Sequence, residues 1–225
     1  MRISKTVSID TPGGREMWQA SPDGALPARL AQPISGPPDI CLHDDLAPQP
    51  FPQHLLRGAR QGPVGALAPW LQVLAAGAVW GRPNWDGIVL CVQASRAYWL
   101  HISAGEMISA LVTVTPQLLM AFGADASPDQ GAMAQTQSRP EKLLSLLDGA
   151  SACVAAGALL GAELAAARPW WLGQQIIVVG KDGAGDAYAR ALQAQGSPVT
   201  ALAQDMVWAQ GVQAVLMQAL APGRA

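Results

Sequence analysis

Short apolar runs and helical spacings alternate along the C-terminal two-thirds of the chain, whereas the first third carries turns and prolines. "KTVSID" alternates weakly and ends in Asp10 before the turn signal "TPGG". "REMWQASPDGALPARLAQP" reads as a second strand, a turn at Pro22 to Gly24 and a third strand. Between Gln32 and Gln53 proline recurs at 33, 37, 38, 48, 50 and 52, so the pattern predicts a surface loop there, without regular helix or central strand. "APWLQVLAAGAVWG" has helical apolar spacing, with Pro69 in the first turn and Gly77 a weak point near its end.

From residue 86 to 114 the pattern predicts an antiparallel meander: "DGIVLCV", buried on both faces, then "AYWLHI", a turn at Gly105 and "EMISALVTV". Thr115 as N-cap and Pro116 behind it open a helix, and "SRPEKLLSLLDG" opens another, with Ser138 as cap and Gly149 as stop. An Ala-rich helix from Ser151 to about Ala167 follows. It leads to a buried strand "QQIIVVG", an amphipathic helix "AGDAYARALQAQG", a strand "SPVTALA" and a terminal helix "MVWAQGVQAVLMQAL". This order predicts an α/β architecture in two lobes, residues 1–85 forming a reduced N-terminal lobe with the Pro-rich segment and residues 86–225 a C-terminal lobe.

Composition narrows the function classes. Half of the 225 residues are hydrophobic and 13% are charged, enough for a sizeable core. Net charge is -2 with no basic block, which gives no support to nucleic-acid or anionic-membrane binding. Cys41, Cys91 and Cys153 lack pairing or ligand spacing, and "MRISKTVSID" lacks a signal-peptide core; a cytoplasmic protein is the expectation. Glu163 interrupts the apolar stretch at 150–167, which therefore reads as a buried helix and not a membrane span.

Few residues are placed for chemistry. "VVGKDGAG", Val178 to Gly185, is a strand, a Gly-bearing turn and a helix start, where backbone N–H groups can meet a phosphate; it lacks the spacing of a dinucleotide fingerprint or a P-loop, so by itself it reads first as an ordinary strand-to-helix connection. Asp10, before a Gly-rich turn, suits either magnesium held through water or an Asx-type turn. His43, beside Asp44 and Asp45, His54 and His101 are isolated and read as solvated. Trp170 and Trp171 suit an aromatic binding surface, a lobe junction or a homodimer face.

Together these segments resemble the 2-dehydro-3-deoxygalactonokinases, sugar-acid kinases. "ASACVAAGALLGAEL", residues 150–164, resembles that family's "ASYLSGLLIGAEL", and "IIVVGKDGAGDAYARALQAQG" resembles its "VTLIGSPALAALYARALAALG". Upstream, "DTPGGREMW" is similar to "DWGTSSFRAW" but has Pro12 and Gly13 where Gly and Thr are expected, and "LLRGARQG" keeps Arg57 and Gly58 of "VMRGEETQ" while Ala59 and Arg60 replace two acidic residues. "VQASRAYWLHISAGEM" keeps Trp99 and Gly105 of "LPGTHSKWVRVEDGRI", with Ala94, Ser95, Arg96, Ala97 and Tyr98 in place of Gly, Thr, His, Ser and Lys; "VTPQL", 114–118, replaces "MTGEL".

The resemblance implies a two-lobed, actin-like ATPase (ribonuclease H-like) sugar-kinase fold with a reduced N-terminal lobe. It implies ATP-dependent phosphorylation of a 2-keto-3-deoxy sugar acid, with ATP and Mg2+ as cofactors if the protein is active. The implied residues are Asp10 for the metal, Asp10, Arg57, Ser95 and Arg96 as catalytic candidates, and Gly157, Gly161, Gly180, Lys181 and Tyr188 around the nucleotide. Four motifs that lose polar residues while their apolar frames persist point to weakened or lost catalysis. The alternative is a non-catalytic homologue that binds a ligand, a small sugar acid among them, or a protein partner.

Overall fold

Strands β1 (Thr6–Thr11) and β2 (Gly14–Gln19) form an antiparallel hairpin that sets Val7 opposite Trp18 and Asp10 opposite Arg15. The structure, a computed structural model, describes residues 5–21, 25–32, 37–42, 49–50, 53–54, 59–60, 66–123, 127–180 and 183–220. Two compact units emerge, one from the described parts of Met1–Trp85, Ile102–Ser109 and Gln204–Ala225, the other from Asp86–His101 and Ala110–Ala203.

In the first unit β3 (Ala28–Arg29) pairs with β2, and β4 (Ile40–Leu42) runs parallel to β1. The third strand is thus only two residues long, and β4 forms an edge strand inside the Pro-rich stretch expected to be a surface loop without central strand. The reason is local: "DICL" contains no proline, and Asp39 ties its start to β1. Its carboxylate accepts from the Thr6 backbone N–H at 2.8 Å and the Thr6 hydroxyl at 3.0 Å, contacts that hold the Asp39 carboxyl below its usual range. Two-residue strands β5 (Gln49–Pro50), β6 (Gln53–His54), β7 (Ala59–Arg60) and β8 (Ala66–Leu67) follow; β5, β7 and β8 pair together, and β6 pairs with residues 106–107.

Helix α1 (Pro69–Ala78) is buried along its length and crosses the terminal helix, Gln204–Leu220. Gly77 is the contact point and not a weak one: a Cβ there would stand 2.0 Å from the Val207 carbonyl oxygen, and one on Gly211 would stand 2.1 Å from that of Val73. This crossing places the terminal helix in the first unit, apart from the C-terminal lobe expected for it.

The second unit contains β9 (Gly87–Val92), most of β10 (Ala97–Ser103) and the second half of β11 (Glu106–Thr113), which form the expected meander. Helix α2 (Thr115–Ala121) begins one residue before the expected start, with Val114 at the N-cap and the Thr115 side chain turned elsewhere. Helix α3 (Gln130–Ser138) was not legible in the pattern: Ser138 ends it, bonding back to the Ala134 and Gln135 carbonyls, and caps nothing. A 3-10 turn at Pro140–Lys142 and α4 (Leu143–Leu147) replace the single helix expected there, and Leu144 faces solvent.

Helix α5 (Ala152–Ala166) lies at the centre of this unit and packs on α3. A Cβ on Gly157 would meet the Asp129 carbonyl oxygen at 2.2 Å, and one on Gly161 the Met133 carbonyl oxygen at 2.2 Å. The Ala/Gly composition is thus what close helix packing requires, and no described helix is long and apolar enough to cross a membrane. Helix α6 (Arg168–Trp171) turns the chain into β12 (Ile176–Gly180), then come α7 (Gly183–Ala194) and β13 (Val199–Ala203); the terminal helix is α8. Strands β9, β12 and β13 are mutually parallel in the order β13-β12-β9.

Candidate functional site

Parallel strands end together in the second unit: Val92, Gly180 and Ala203 are in register at the carboxyl edge. In open α/β sheets that edge is where ligands bind, because loops and helix N-termini collect there. After β9 comes a tight turn in which the Gln93 N–H bonds to the Arg96 carbonyl at 2.9 Å, leaving the Ala94, Ser95 and Arg96 side chains exposed. Arg96 makes no salt bridge with a described residue, and its charge acts on Tyr98, whose phenol is raised by burial and lowered in part by Arg96.

Beside this turn, the chain leaves β12 and enters α7. A Cβ on Gly180 would stand 2.7 Å from the Gly185 Cα and 3.6 Å from the Val92 Cβ, so only glycine lets the helix start fold so close to the strand end. Lys181 lies outside the described residues. The α7 N-terminus supplies partial positive charge, offset by Asp186 in its first turn.

A second candidate, the Thr11–Gly14 turn of the first unit, is closed on itself. The Asp10 carboxylate accepts from Arg15 Nε at 2.7 Å and Arg15 Nη2 at 3.2 Å. The turn does carry a hydroxyl, that of Thr11, but it donates to the Gly14 carbonyl at 2.7 Å and accepts from the Gly13 N–H at 3.3 Å. These are the groups with which such a turn would meet a phosphate.

The remaining nucleotide candidates lie in the interior of the second unit. Tyr188 has no exposed surface, and its hydroxyl donates a hydrogen bond to Glu163 Oε2. Glu163 Oε1 accepts from Trp99 Nε1 at 2.8 Å and from the Thr113 hydroxyl at 2.7 Å. Burial, followed by the Glu163 carboxylate, pushes the Tyr188 phenol well above its ordinary range, against smaller opposing effects of the Thr115 and Thr113 hydroxyls. Gly157 and Gly161 are covered by α3, so these three residues face protein and not a ligand.

In the sequence Glu163 stands out only as a break in an apolar run. A lone carboxylate in an Ala-rich buried helix is itself the signal, since burial demands partners. Trp171 is also interior, donating from Nε1 to the Leu164 carbonyl at 2.8 Å, so it seals the core instead of lining a surface. His101 is half-buried on β10. Arg57, Gly58, His43, Asp44 and Asp45, and the side chains of His54, Ala59 and Arg60, lie outside the described residues.

The 2-keto-3-deoxy-galactonokinase family profile matches residues 120–215, a segment holding α5, β12, α7 and β13. That segment is similar to the family; it spans less than half of the chain. A crystal structure from Sinorhizobium meliloti, provisionally named a 2-dehydro-3-deoxygalactonokinase, overlaps with a TM-score of 0.76 at 17% identity, covering 97% of this chain and 100% of that one. That overlap shows a shared fold, of the α/β class that the sequence implies. Component A of the (R)-2-hydroxyglutaryl-CoA dehydratase of Acidaminococcus fermentans overlaps at 0.44 with 13% identity, covering 66% of this chain and 68% of that chain. The activator of the 2-hydroxyisocaproyl-CoA dehydratase of Clostridium difficile, with bound ADPNP, overlaps at 0.46 with 10% identity, covering 85% and 74%. No curated protein matches the chain. Of the candidate residues, Ser95 and Arg96 of the strand-end turn are exposed, while Asp10 is paired and Tyr188 is buried.

Proposed function

We propose that this 2-keto-3-deoxygalactonate kinase-like protein keeps the fold of a sugar-acid kinase while its ATP-dependent phosphoryl transfer is weakened or lost. The observation that carries the reading is the Asp10–Arg15 pair: the carboxylate implied for the metal is engaged by a guanidinium through two hydrogen bonds. Phosphoryl transfer depends on positioning and charge neutralisation by metal and cationic groups, so a turn that spends its carboxylate and Gly13 N–H internally is poorly set up for it.

Magnesium fits these residues badly. A cation at Asp10 must displace Arg15, and among the described residues no group of three His, Cys, Asp or Glu could hold a metal ion. A second reading, a ligand-binding homologue, is favoured by the exposed Ser95 and Arg96 beside the α7 N-terminus, a pairing suited to an anionic sugar acid or nucleotide.

A coupled kinase assay on 2-dehydro-3-deoxygalactonate with ATP and Mg2+ tests the first reading, alongside isothermal titration with each ligand. Little or no turnover is expected. Turnover on the order of 1 per second or faster overturns the proposal. Heat of binding without turnover favours the ligand-binding homologue.

A further inference from the structure

Glu163 bonds three elements at once: Trp99 near the start of β10, Thr113 at the end of β11, and Tyr188 in α7. Two of these carry the candidate site. Trp99 is three residues beyond Arg96, a strand distance of about 10 Å. Tyr188 is five residues into α7 from Gly183, about 8 Å along the helix. The Trp99 and Tyr188 rings also meet edge-on, with centroids 6.5 Å apart and planes at 70°. Glu163, Trp99 and Tyr188 are buried, so this carboxylate is screened from solvent and strongly coupled to its donors.

We propose that Glu163 is a positioning residue for the strand-end site, its two oxygens fixing the spacing between the Gln93–Arg96 turn and the first turns of α7. Oε1 holds the turn through Trp99 and β10; Oε2 holds the helix through Tyr188. Neither arm touches a ligand. The proposal rests on the reading of this edge as an anion-binding face, and its test separates the two ideas.

Hydrogen exchange on the full chain reads the spacing directly. Trp99→Phe is expected to speed exchange at residues 93–99 and leave 183–190 unchanged; Tyr188→Phe is expected to do the reverse. Glu163→Gln, which keeps one carbonyl acceptor, is expected to speed both by about ten-fold while α3 and β12 keep wild-type protection. A uniform rise across the unit, or no change at the two segments, overturns the proposal, since a merely structural carboxylate gives one of those results.

Titration with ADP supplies the second readout. Arg96→Ala probes the anion reading, and a loss of about ten-fold in affinity is expected for Arg96→Ala and Glu163→Gln alike. Ile176→Val, a core change that lowers Tm without touching Glu163, is expected to bind ADP as wild type does. Equal loss in Ile176→Val overturns the positioning role. Absence of ADP binding by the wild type overturns the anion reading alone, and the exchange pattern still decides the role of Glu163.

Discussion

Asp10 and Glu163 are both carboxylates on regular elements, yet they sit in opposite surroundings. Asp10, 23% exposed, is paired across a hairpin with an Arg15 that is 58% exposed. Glu163 is 5% exposed and takes hydrogen bonds from a tryptophan, a threonine and a tyrosine. By motif the first is the functional residue and the second is filler. The energetics run the other way: an exposed pair is worth under about 1 kcal/mol, whereas an interior carboxylate that satisfies several donors is costly to lose.

The largest effect is therefore expected at Glu163. Glu163→Ala leaves Trp99 Nε1 and the Tyr188 hydroxyl without their acceptor in the core, and a loss of about 4 kcal/mol is expected from two or more unsatisfied groups plus a cavity. Urea unfolding measures it. A loss below about 1 kcal/mol would show that water or a neighbour replaces the carboxylate, and the contrast with Asp10 would collapse.

A comparable change comes from pH, again from the interior. The Cys91 thiol is pushed up to about 12 from its ordinary 9.0 by burial alone. In that window the folded chain keeps a proton that the unfolded chain releases, so stability is fully present below pH 9 and falls as pH rises. The slope is about 1.4 kcal/mol per pH unit, on the order of 4 kcal/mol by pH 12. Tyr188, also raised, adds to the decline above its ordinary value near pH 10. Urea midpoints between pH 8 and 11 should fall steeply in the wild type and less steeply in Cys91→Ala. Equal slopes would remove Cys91 as the cause.

Gly161→Ala is expected to cost about 2 kcal/mol, because its Cβ would approach the Met133 carbonyl oxygen at 2.2 Å and the Thr136 hydroxyl at 2.3 Å. Gly183→Ala, with nothing within 4 Å of the new Cβ, serves as the comparison and should be near neutral. A neutral Gly161→Ala in thermal unfolding would mean that α3 and α5 move apart readily, loosening the helix that carries Glu163.

Apolar runs made most of the second unit legible, since strands such as "GIVLCV" and "IIVVG" are buried on both faces and need no partner information. Helix α3 was hidden because "QGAMAQTQS" has few large apolar residues; it is held by the Asp129 side chain, which accepts from the Ala132 N–H, and by the glycines of α5. The resemblance singles out Asp10, Gly157, Gly161 and Tyr188 by motif, but their surroundings depend on contacts that no motif carries. Arg15 is five positions from Asp10, yet only the hairpin register turns it onto the carboxylate. Trp99 and Glu163 are 64 positions apart, a pairing no local pattern encodes.

The smallest effect belongs to the hairpin, and it is the sharpest probe of the functional reading. Removing the pair by Asp10→Asn should lower stability by less than about 1 kcal/mol, because both side chains are solvated and the attraction is screened by salt. Arg15→Ser should cost equally little while taking the guanidinium away from the carboxylate. If Arg15 occupies the place of a cation, Arg15→Ser gains Mg2+ binding in isothermal titration over the wild type, and Asp10→Asn abolishes that gain. Should wild type and Arg15→Ser bind Mg2+ equally through Asp10, the guanidinium is no obstacle and the case for lost phosphoryl transfer loses its main support. The two carboxylates would then differ in stability alone, with Asp10 restored as a working residue and Glu163 as the element that holds the other edge in place.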